Sequence, residues 1–497
     1  MRSVGVFQDQ LGFVAHCYSK YSSSCVQRIN KFPSRQGYYP LRIASGFRFY
    51  PILKSISASS ASSVSGSGAE YPEQLLDVER KKIKKRIAGI DQDELLDPKL
   101  LADPDSRFCE FKGVQIHHKV YDAESQAHLS LQTQTLSQHP QHPTKKLGFP
   151  MILLHGFGAS VFSWNRVLKP LAEITCSKIL AFDRPAFGLT SRVNLIGHSS
   201  SGTGDTKPLN PYSMAFSVLA TLYFIDFLAA EKAILVGHSA GSLTAVNTYF
   251  EAPERVAALV LVAPAILVPL TKPKTVKEKQ LGKDNQIEDD LESFPLKNLF
   301  LGLYKILGKI NKYIIQAVMR MMKEMANMFN SLYMKLLSAI LHSAFAVMLV
   351  RVAIDKFGIA AVRSAWYDSK KVTEHVLYGY TKPLRTKDWD RALVEYMAAM
   401  LLDTESKSNP PLSQRLHEIS CPVLIVTGDS DRIVPSWNAE RLSRAIPGSS
   451  LEVIKHCGHL PHEEKVEEFV AVVEKFLRKL ILGDSNEQCL QASTWTL

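Results

Sequence analysis

Six short apolar runs, each followed by a turn and usually by a stretch of helical spacing, constrain the fold of this chain more than any other feature. The runs lie at residues 150–156, 177–183, 232–238, 257–264, 421–428 and 451–456. They are continuous rather than alternating, which is typical of strands buried on both faces. Alternation of strand and helix favours right-handed crossovers. The sequence therefore predicts an α/β fold with a mostly parallel central sheet flanked by helices.

Three other segments carry different patterns. Residues 107–124 alternate between apolar and polar side chains, which predicts an antiparallel hairpin. Residues 71–101 are highly charged and predict a lead-in helix. The very apolar stretch 212–230 contains Asp226 and precedes the third run, so we expect a buried crossover helix there and not a membrane span.

A long insertion, residues 268–385, separates the fourth and fifth runs. Residues 269–387 hold twenty Lys and Arg against ten Asp and Glu, and residues 296–354 contain seven of the twelve Met. Basic, Met-rich amphipathic helices can lie on anionic membranes or enclose a flexible apolar molecule. The alternative is a helical lid whose apolar face packs on the rest of the protein, and both arrangements can hold together. Either one favours an apolar substrate.

The third run ends in the pentapeptide GHSAG, in which Ser239 stands between Gly237 and Gly241. A strand that turns at once into a helix needs glycines where side chains would collide, and the serine is then left strained and exposed. A serine hydroxyl is a weak nucleophile at neutral pH and needs a positioned base. The pattern predicts that Ser239 is a nucleophile, whereas the alternative is a glycine-rich turn with an idle serine.

The motif HGFG, residues 155–158, follows the first run. We expect the backbone N–H groups of Phe157 and Ala240 to point at one position and so form an oxyanion hole. Together they would stabilise the alkoxide of a tetrahedral intermediate. His155 is more typical of a structural residue that makes hydrogen bonds.

The last two runs are followed by an acid and a base. GDSDRIVP offers Asp429 and Asp431, and the G-x-x-D-x-x-V-P spacing favours Asp431. HCGHLPHE offers three histidines, of which His459 fits G-H-x-P-x-x-E. The chain order Ser, Asp, His then selects His459 as the base, with Asp431 orienting it.

On these motifs, together with the segment FDRPAFGLTSR, the chain resembles the α/β-hydrolase superfamily over roughly residues 107–483. The resemblance implies a Ser239–Asp431–His459 triad and a lid after the fourth strand. The serine-rich N-terminus and long lid also resemble plant plastid α/β-hydrolases, some of which are linked to phytol, prenyl-lipid and tocopherol metabolism. That likeness implies hydrolysis of a hydrophobic ester at a membrane in the plastid.

Two departures from related families narrow the reaction. Haloalkane dehalogenases and epoxide hydrolases place Asp at the nucleophile position, which is Ser239 here. The H-x4-D signature of acyltransferase-type relatives is absent, because Glu464 stands at that spacing from His459. We expect an esterase or lipase-like carboxylic ester hydrolase. Alternatives are an acyltransferase, a thioesterase or a C–C bond hydrolase on the same triad, or a non-catalytic binding or scaffold protein of this fold.

The N-terminal segment, residues 1–69, contains eight Lys and Arg but a single acid, Asp9, and it ends in the run SISASSASSVSGSG. This composition predicts a transit peptide, and its many serines favour the chloroplast over the mitochondrion. A plain disordered tail is the alternative. The chain outside this segment and residues 269–387 carries a net charge of −6, which is not the pattern of a nucleic-acid-binding domain.

Seven scattered cysteines without C-x-x-C spacing argue against a disulfide framework and a structural zinc site. The proposed chemistry needs no metal or organic cofactor. The predicted domain division is a transit peptide (1–69), a first core part (70–267), a lid (268–385), a second core part (386–484) and a tail (485–497).

Overall fold

A computed structural model of the protein describes residues 86–122, 148–193, 209–268, 295–402 and 410–493. The predicted transit peptide, residues 1–69, lies outside the described residues. So do most of the charged first part of the insertion and the end of the predicted tail.

Ten strands are present in the described residues. They are β1 (Arg86–Ile87), β2 (Ile90–Asp91), β3 (Arg107–Phe111), β4 (Val114–Tyr121), β5 (Met151–Leu154), β6 (Ile179–Phe182), β7 (Ala233–His238), β8 (Val256–Val262), β9 (Val423–Gly428) and β10 (Ser450–Ile454). Eight of them form one sheet in the order β10-β9-β8-β7-β5-β6-β4-β3. The six strands from β10 to β6 are parallel, and β4 and β3 are antiparallel to their neighbours. The predicted fold class and the edge hairpin are confirmed.

Twelve α-helices accompany these strands in the described ranges. They are α1 (Pro98–Leu101), α2 (Asn165–Thr175), α3 (Met214–Phe227), α4 (Ala240–Glu251), α5 (Pro295–Leu341), α6 (Ala344–Ala365), α7 (Glu374–Thr381), α8 (Trp389–Leu402), α9 (Leu412–Arg415), α10 (Ser436–Ala445), α11 (Pro461–Glu464) and α12 (Val466–Ser493). Helices α3, α4 and α10 share one apolar core with the sheet, and α2 and α12 share the other. The sheet therefore has helices on both faces.

This two-sided covering explains the continuous apolar runs. Successive strand side chains point to opposite faces, so Leu153 joins the core on the α2 side while Leu154 joins the core on the α3 side. Both side chains are fully buried. The predicted crossover helix also forms as α3, with Phe216 and Phe224 buried and Ser213 capping its first turn.

Helices α5 to α8 lie between β8 and β9. A new helix starts at Ala344, where the Ser343 hydroxyl accepts the N–H of Ala346 and caps it. The segments Lys312–Leu341 and Ala344–Ala365 meet there at 67°. In the residues that the structure describes, only this bent pair, and no single helix, meets the length and hydropathy expected of a membrane span.

The predicted lead-in helix over residues 71–101 is wrong for residues 86–97, and only the short helix α1 at its end is helical. Residues 86–91 instead form a small hairpin of β1 and β2, joined by Ala88 and Gly89. Both joining residues have positive φ (47° and 82°), as two-residue hairpin turns require. The turn chemistry of Ala-Gly therefore overrides the helical spacing of the charges around it. Residues 71–85 lie outside the described residues.

Candidate active site

The turn between β7 and α4 holds Ser239 in a strained backbone conformation. Its φ is 50° and its ψ is −117°, a combination that L-residues rarely adopt. Its backbone is held from both sides, because its N–H donates to the carbonyl of Val262 (2.9 Å) and its carbonyl accepts the N–H of Ala265 (3.2 Å). The hydroxyl does not cap α4, although it stands at the capping position. Ser239 is therefore presented at the end of a fully buried strand without a structural task for its side chain.

Two glycines make this sharp turn possible. A Cβ on Gly241 would lie 2.1 Å from the carbonyl oxygen of Leu154 in the neighbouring strand β5. A Cβ on Gly237 would lie 2.6 Å from the carbonyl oxygen of Gly241 and from the Cα of Ser242. Both contacts are with backbone atoms, which cannot move aside. The glycines predicted from the G-x-S-x-G pattern are thus required by close packing between α4 and the sheet.

Asp431 and His459 form a buried hydrogen-bonded pair. The Nδ1–H of His459 donates to Oδ2 of Asp431 at 2.8 Å, and the Asp431 side chain is fully buried. The other oxygen, Oδ1, accepts the backbone N–H groups of Ile433 (2.8 Å) and Val434 (2.9 Å). These bonds fix the carboxylate, which in turn fixes the imidazole and leaves its Nε2 able to accept a proton.

Asp429, the other candidate acid, has different partners. Its Oδ1 accepts the N–H of Cys457 (3.3 Å) and the hydroxyl of Ser430 (3.0 Å). Asp429 therefore braces the turn between β10 and the histidine loop. The hydrogen bond to His459 belongs to Asp431, the acid that the motif spacing favours.

His238, the residue before Ser239, connects the serine turn to the histidine loop. Its Nε2–H donates to the carbonyl oxygen of His459 at 3.0 Å, and the centroids of the two imidazole rings lie 4.8 Å apart. Burial, together with the neighbouring His462 and His459, keeps the pKa of His238 well below its ordinary value, so it stays neutral. The structure thus brings the loop of His459 against the residue next to Ser239.

The HGFG loop lies on the other side of Ser239. A Cβ on Gly156 would lie 3.1 Å from the Cβ of Ser239, so the loop backbone passes directly beside the serine. His155 shapes this loop, because its Nδ1–H donates to the carbonyl of Gly156 (2.7 Å) and its Nε2 accepts the N–H of Arg184 (3.0 Å). Burial lowers the pKa of His155 to about 4, with Arg184 as the next cause. As predicted, His155 is a structural residue.

The two predicted oxyanion donors lie at this junction. The N–H of Ala240 is the first of α4, and the first N–H groups of a helix have no partner within it. The positive end of the helix dipole adds to its preference for a negative charge. Phe157 follows Gly156 in the loop and is 53% exposed. Its ring lies near the rings of Phe187 and Tyr396. An aromatic surface therefore borders the serine.

Glu464 joins the histidine loop to the end of α6, a role that sequence reasoning missed. Its carboxylate accepts the N–H groups of Gly458 (3.0 Å) and Tyr367 (2.7 Å). The N–H of His459 itself donates to the carbonyl oxygen of Ala365, the last residue of α6, at 2.7 Å. The only sign of this role in the sequence is an acid five residues after His459. That spacing does not show that the acid contacts the insertion.

The other two histidines of the loop contact aromatic side chains. His456 has a φ of 50° in the turn after β10, and its ring is tilted against that of Tyr367 with the centroids 5.5 Å apart. His462 lies in α11, just before the last helix, with its ring 4.2 Å from that of Trp164. Burial, together with the neighbouring His459, lowers the pKa of His462 to about 3, so His462 is a neutral packing residue.

A second Ser–His–Asp line, which the sequence did not reveal, lies at the sheet edge. His117 Nδ1–H donates to Asp183 Oδ2 (2.7 Å), and its Nε2 lies 2.8 Å from the hydroxyl of Ser106. Burial raises the pKa of Asp183, but His117, with smaller contributions from His155 and the N–H of Leu189, outweighs this and holds it at about 2. Asp183, from the FDRPAFGLTSR motif, also accepts the N–H of Leu189 (2.7 Å). Ser106 precedes β3, where no helix begins, so this line lacks the helix N-terminus that Ser239 has.

Among the residues described by the structure, no group of three or more His, Cys, Asp or Glu side chains is arranged to hold a metal ion.

Several known proteins are similar to this chain. The sequence profile of the alpha/beta hydrolase family matches residues 151–472, which include β5, the serine turn and His459. The 2-hydroxy-6-oxo-6-phenylhexa-2,4-dienoate hydrolase of Comamonas testosteroni is 21% identical over 336 residues, covering 67% of this chain and 88% of that protein. The abhydrolase domain-containing protein abhd-5.2 of Caenorhabditis elegans is 32% identical over 134 residues, and the match spans only 27% of each protein. The solved structure of a meta-cleavage product hydrolase (CumD) from Pseudomonas fluorescens IP01 aligns with a TM-score of 0.44 and 17% identity, covering 75% of this chain and 98% of that chain.

Proposed function

Because the chain belongs to the alpha/beta hydrolase family, we propose that it is a serine hydrolase with Ser239 as nucleophile, His459 as base and Asp431 as the orienting acid. One observation carries this proposal. The buried Asp431–His459 pair, joined at 2.8 Å, lies in the loop that contacts His238, the residue next to the strained Ser239. A base oriented by a carboxylate beside a serine at a helix N-terminus is suited to acyl transfer.

The proposed reaction runs through an acyl-enzyme. The Oγ of Ser239 attacks the carbonyl carbon of the ester while its proton passes to Nε2 of His459. The N–H groups of Phe157 and Ala240 donate to the oxyanion, and the alcohol leaves with the proton from His459. Water then attacks the acyl-enzyme, gives its proton to His459, and the acid leaves as Ser239 regains that proton.

We propose a hydrophobic carboxylic ester as the substrate, of the lipid or prenyl type. The exposed ring of Phe157 beside Ser239 supports an apolar substrate. The large apolar side chains exposed on α5 and α6 support it as well, since a lid of this kind suits a lipid better than a sugar or a peptide. The reaction needs no metal or organic cofactor.

A second candidate is hydrolysis of a C–C bond on the same residues. The relative from Comamonas testosteroni is named as a hydrolase of a 2-hydroxy-6-oxo-dienoate and matches two thirds of this chain. A triad and an oxyanion hole serve both reactions, so the geometry around Ser239 alone does not separate them.

The proposed location is the chloroplast, with the mitochondrion as the alternative, on the basis of the serine-rich, acid-poor residues 1–69. Within the plastid, the resemblance to plant hydrolases of phytol and prenyl-lipid metabolism suggests an ester of that group. We propose contact with an anionic plastid membrane through the inserted helices, whose basic charge supports it. Nothing in the charge distribution favours a nucleic acid partner.

The test is labelling of the folded protein with a fluorophosphonate, followed by assays with long-chain esters and with a 2-hydroxy-6-oxo-dienoate. We expect labelling that is lost in Ser239→Ala and retained in Ser106→Ala, the matched change in the second Ser–His–Asp line. Turnover of the esters but not of the dienoate supports the ester reaction, and the reverse supports the second candidate. A folded protein that neither reacts with the probe nor turns over either substrate would show a non-catalytic member of the fold.

A further inference from the structure

Helix α5 exposes an apolar surface that no other described part of the protein covers. Every residue from Lys312 to Tyr333 is exposed. Six large apolar side chains on this helix follow one another at intervals of three or four residues and so lie on one face: Val318, Met322, Met325, Phe329, Leu332 and Leu336. Val318 is the least exposed of them at 44% and Leu332 the most at 63%. We call this face the α5 stripe. A continuous apolar surface of this length marks an interaction site.

The charges of the same helix are almost all positive. Between Lys309 and Lys335 there are five basic residues and one acid, Glu324. Arg320 and Lys323 lie on the side of the helix away from the α5 stripe, by the same helical spacing. A helix with apolar residues on one face and Lys and Arg on the other is typical of helices that lie in a membrane interface.

We infer that the α5 stripe is a docking surface for an anionic lipid bilayer. The apolar side chains would enter the boundary of the acyl chains, while Arg320 and Lys323 reach the lipid phosphates. A second copy of the chain is a poorer occupant, because pairing two stripes leaves Arg320 and Lys323 facing away from the contact, whereas an anionic bilayer engages both the apolar and the basic residues. An arrangement across the bilayer is disfavoured, because Arg320, Lys323 and Glu324 lie in the middle of the helix.

The docking surface is connected to the candidate active site through the chain itself. Helix α6 follows α5 after the bend at Ser343, and its last carbonyl, that of Ala365, accepts the N–H of His459. Helices α5 and α6 would therefore connect the docked bilayer to the histidine loop through one continuous segment of chain. The inference rests on the membrane contact proposed above and assigns that contact to α5. Lipid binding can be measured without turnover, so the inference can fail while the proposed reaction stands.

The test is flotation of the full chain, carrying Ser239→Ala to prevent turnover, with vesicles of phosphatidylcholine alone or mixed equally with phosphatidylglycerol. We expect binding to the mixed vesicles that weakens in high salt. Arg320→Gln with Lys323→Gln removes two charges, each contributing about 1 kcal/mol near such a surface, so binding should weaken about thirtyfold. Met325→Gln with Phe329→Gln should weaken it at least as much.

Two matched variants on the body of the protein serve as controls. Leu100→Gln removes an apolar side chain that is 75% exposed on α1, and Lys169→Gln removes an exposed charge on α2. Both should bind vesicles like the parent. The inference is overturned if the Met325 and Phe329 variant binds like the parent. It is also overturned if sedimentation shows that the parent is a dimer which this variant dissolves, because the α5 stripe is then a self-association surface.

Discussion

The substitution Asp431→Asn tests the proposed chemistry most directly, because it changes one buried atom. In the protein, Oδ2 of Asp431 accepts the Nδ1–H of His459, and Oδ1 accepts two backbone N–H groups of its own loop. An asparagine can keep the loop bonds through its carbonyl oxygen. Its NH2 group then faces His459 and can only donate, so Nδ1 must become the acceptor and the imidazole proton moves to Nε2.

A histidine with its proton on Nε2 cannot accept the proton of Ser239. Loss of the correct tautomer costs about 10⁴ in kcat in enzymes with this arrangement, which corresponds to about 5.4 kcal/mol of transition-state stabilisation. The cost in folding should be smaller, about 1–3 kcal/mol, because the loop bonds persist and only the contact with the imidazole is impaired. We therefore expect a folded protein with almost no activity.

The assay compares kcat/KM on a soluble aryl ester and the rate of fluorophosphonate labelling with the melting temperature of the same samples. Asp429→Asn is the matched control, since Asp429 lies in the same loop but contacts Cys457 and Ser430 instead of His459. We expect less than a tenfold loss there. A folded Asp431→Asn protein that keeps activity within tenfold of the parent would refute the assignment of Asp431 and the proposed proton transfer.

Three further predictions concern the packing and ionisation around the site. Gly241→Ala places a Cβ 2.1 Å from a backbone oxygen and should lower the free energy of unfolding by about 3 kcal/mol. Gly358→Ala in α6, where the new Cβ meets only ordinary contacts, should raise it by up to about 1 kcal/mol. Urea unfolding of both variants and the parent measures these differences. Burial raises the pKa of Glu463 from 4.5 to about 8, so the folded state retains a proton that the unfolded state has lost, and the stability that this proton contributes falls as the pH rises from about 4.5 through about 8. Glu463→Gln should therefore lose less stability than the parent between these pH values in thermal melts, and an identical slope would contradict the buried acid. Glu464→Gln removes one acceptor between the histidine loop and α6 and should lower kcat about tenfold with little change in KM. Equal losses in kcat and in the folded fraction would show that Glu464 has a structural role only.

The sheet could be predicted because its signal is local. A strand such as β7, with six consecutive buried residues, needs apolar side chains on both faces, and the sequence shows them as an unbroken run. The serine turn is local too, because Gly237 and Gly241 are required by contacts within a few residues and with the adjacent strand. The small hairpin of β1 and β2 was harder to predict. Ala88 and Gly89 form its turn, whereas the surrounding charges had suggested a helix.

The site was predictable in its parts but not in its connections. Motif spacing selected Asp431 over Asp429, and the structure forms the hydrogen bond from Asp431 to His459; their catalytic roles with Ser239 stay a prediction. The connection of Glu464 to Tyr367 joins residues 97 positions apart, and no spacing in the sequence encodes such a contact. The line from Ser106 through His117 to Asp183 was missed for the same reason, since it depends on the antiparallel pairing of β4 with β6.

The amino-acid order by itself determined which segments become buried strands, where the chain turns sharply at Ser239, and which residue types are available at the strand ends. These properties follow from short-range sterics and from the burial of neighbouring side chains. Only the tertiary structure decided that Glu464 accepts the N–H of Tyr367, that the end of α6 holds the loop of His459, and that the apolar side of α5 is left uncovered. Those outcomes depend on how distant elements pack, and packing of that kind is a property of the whole chain.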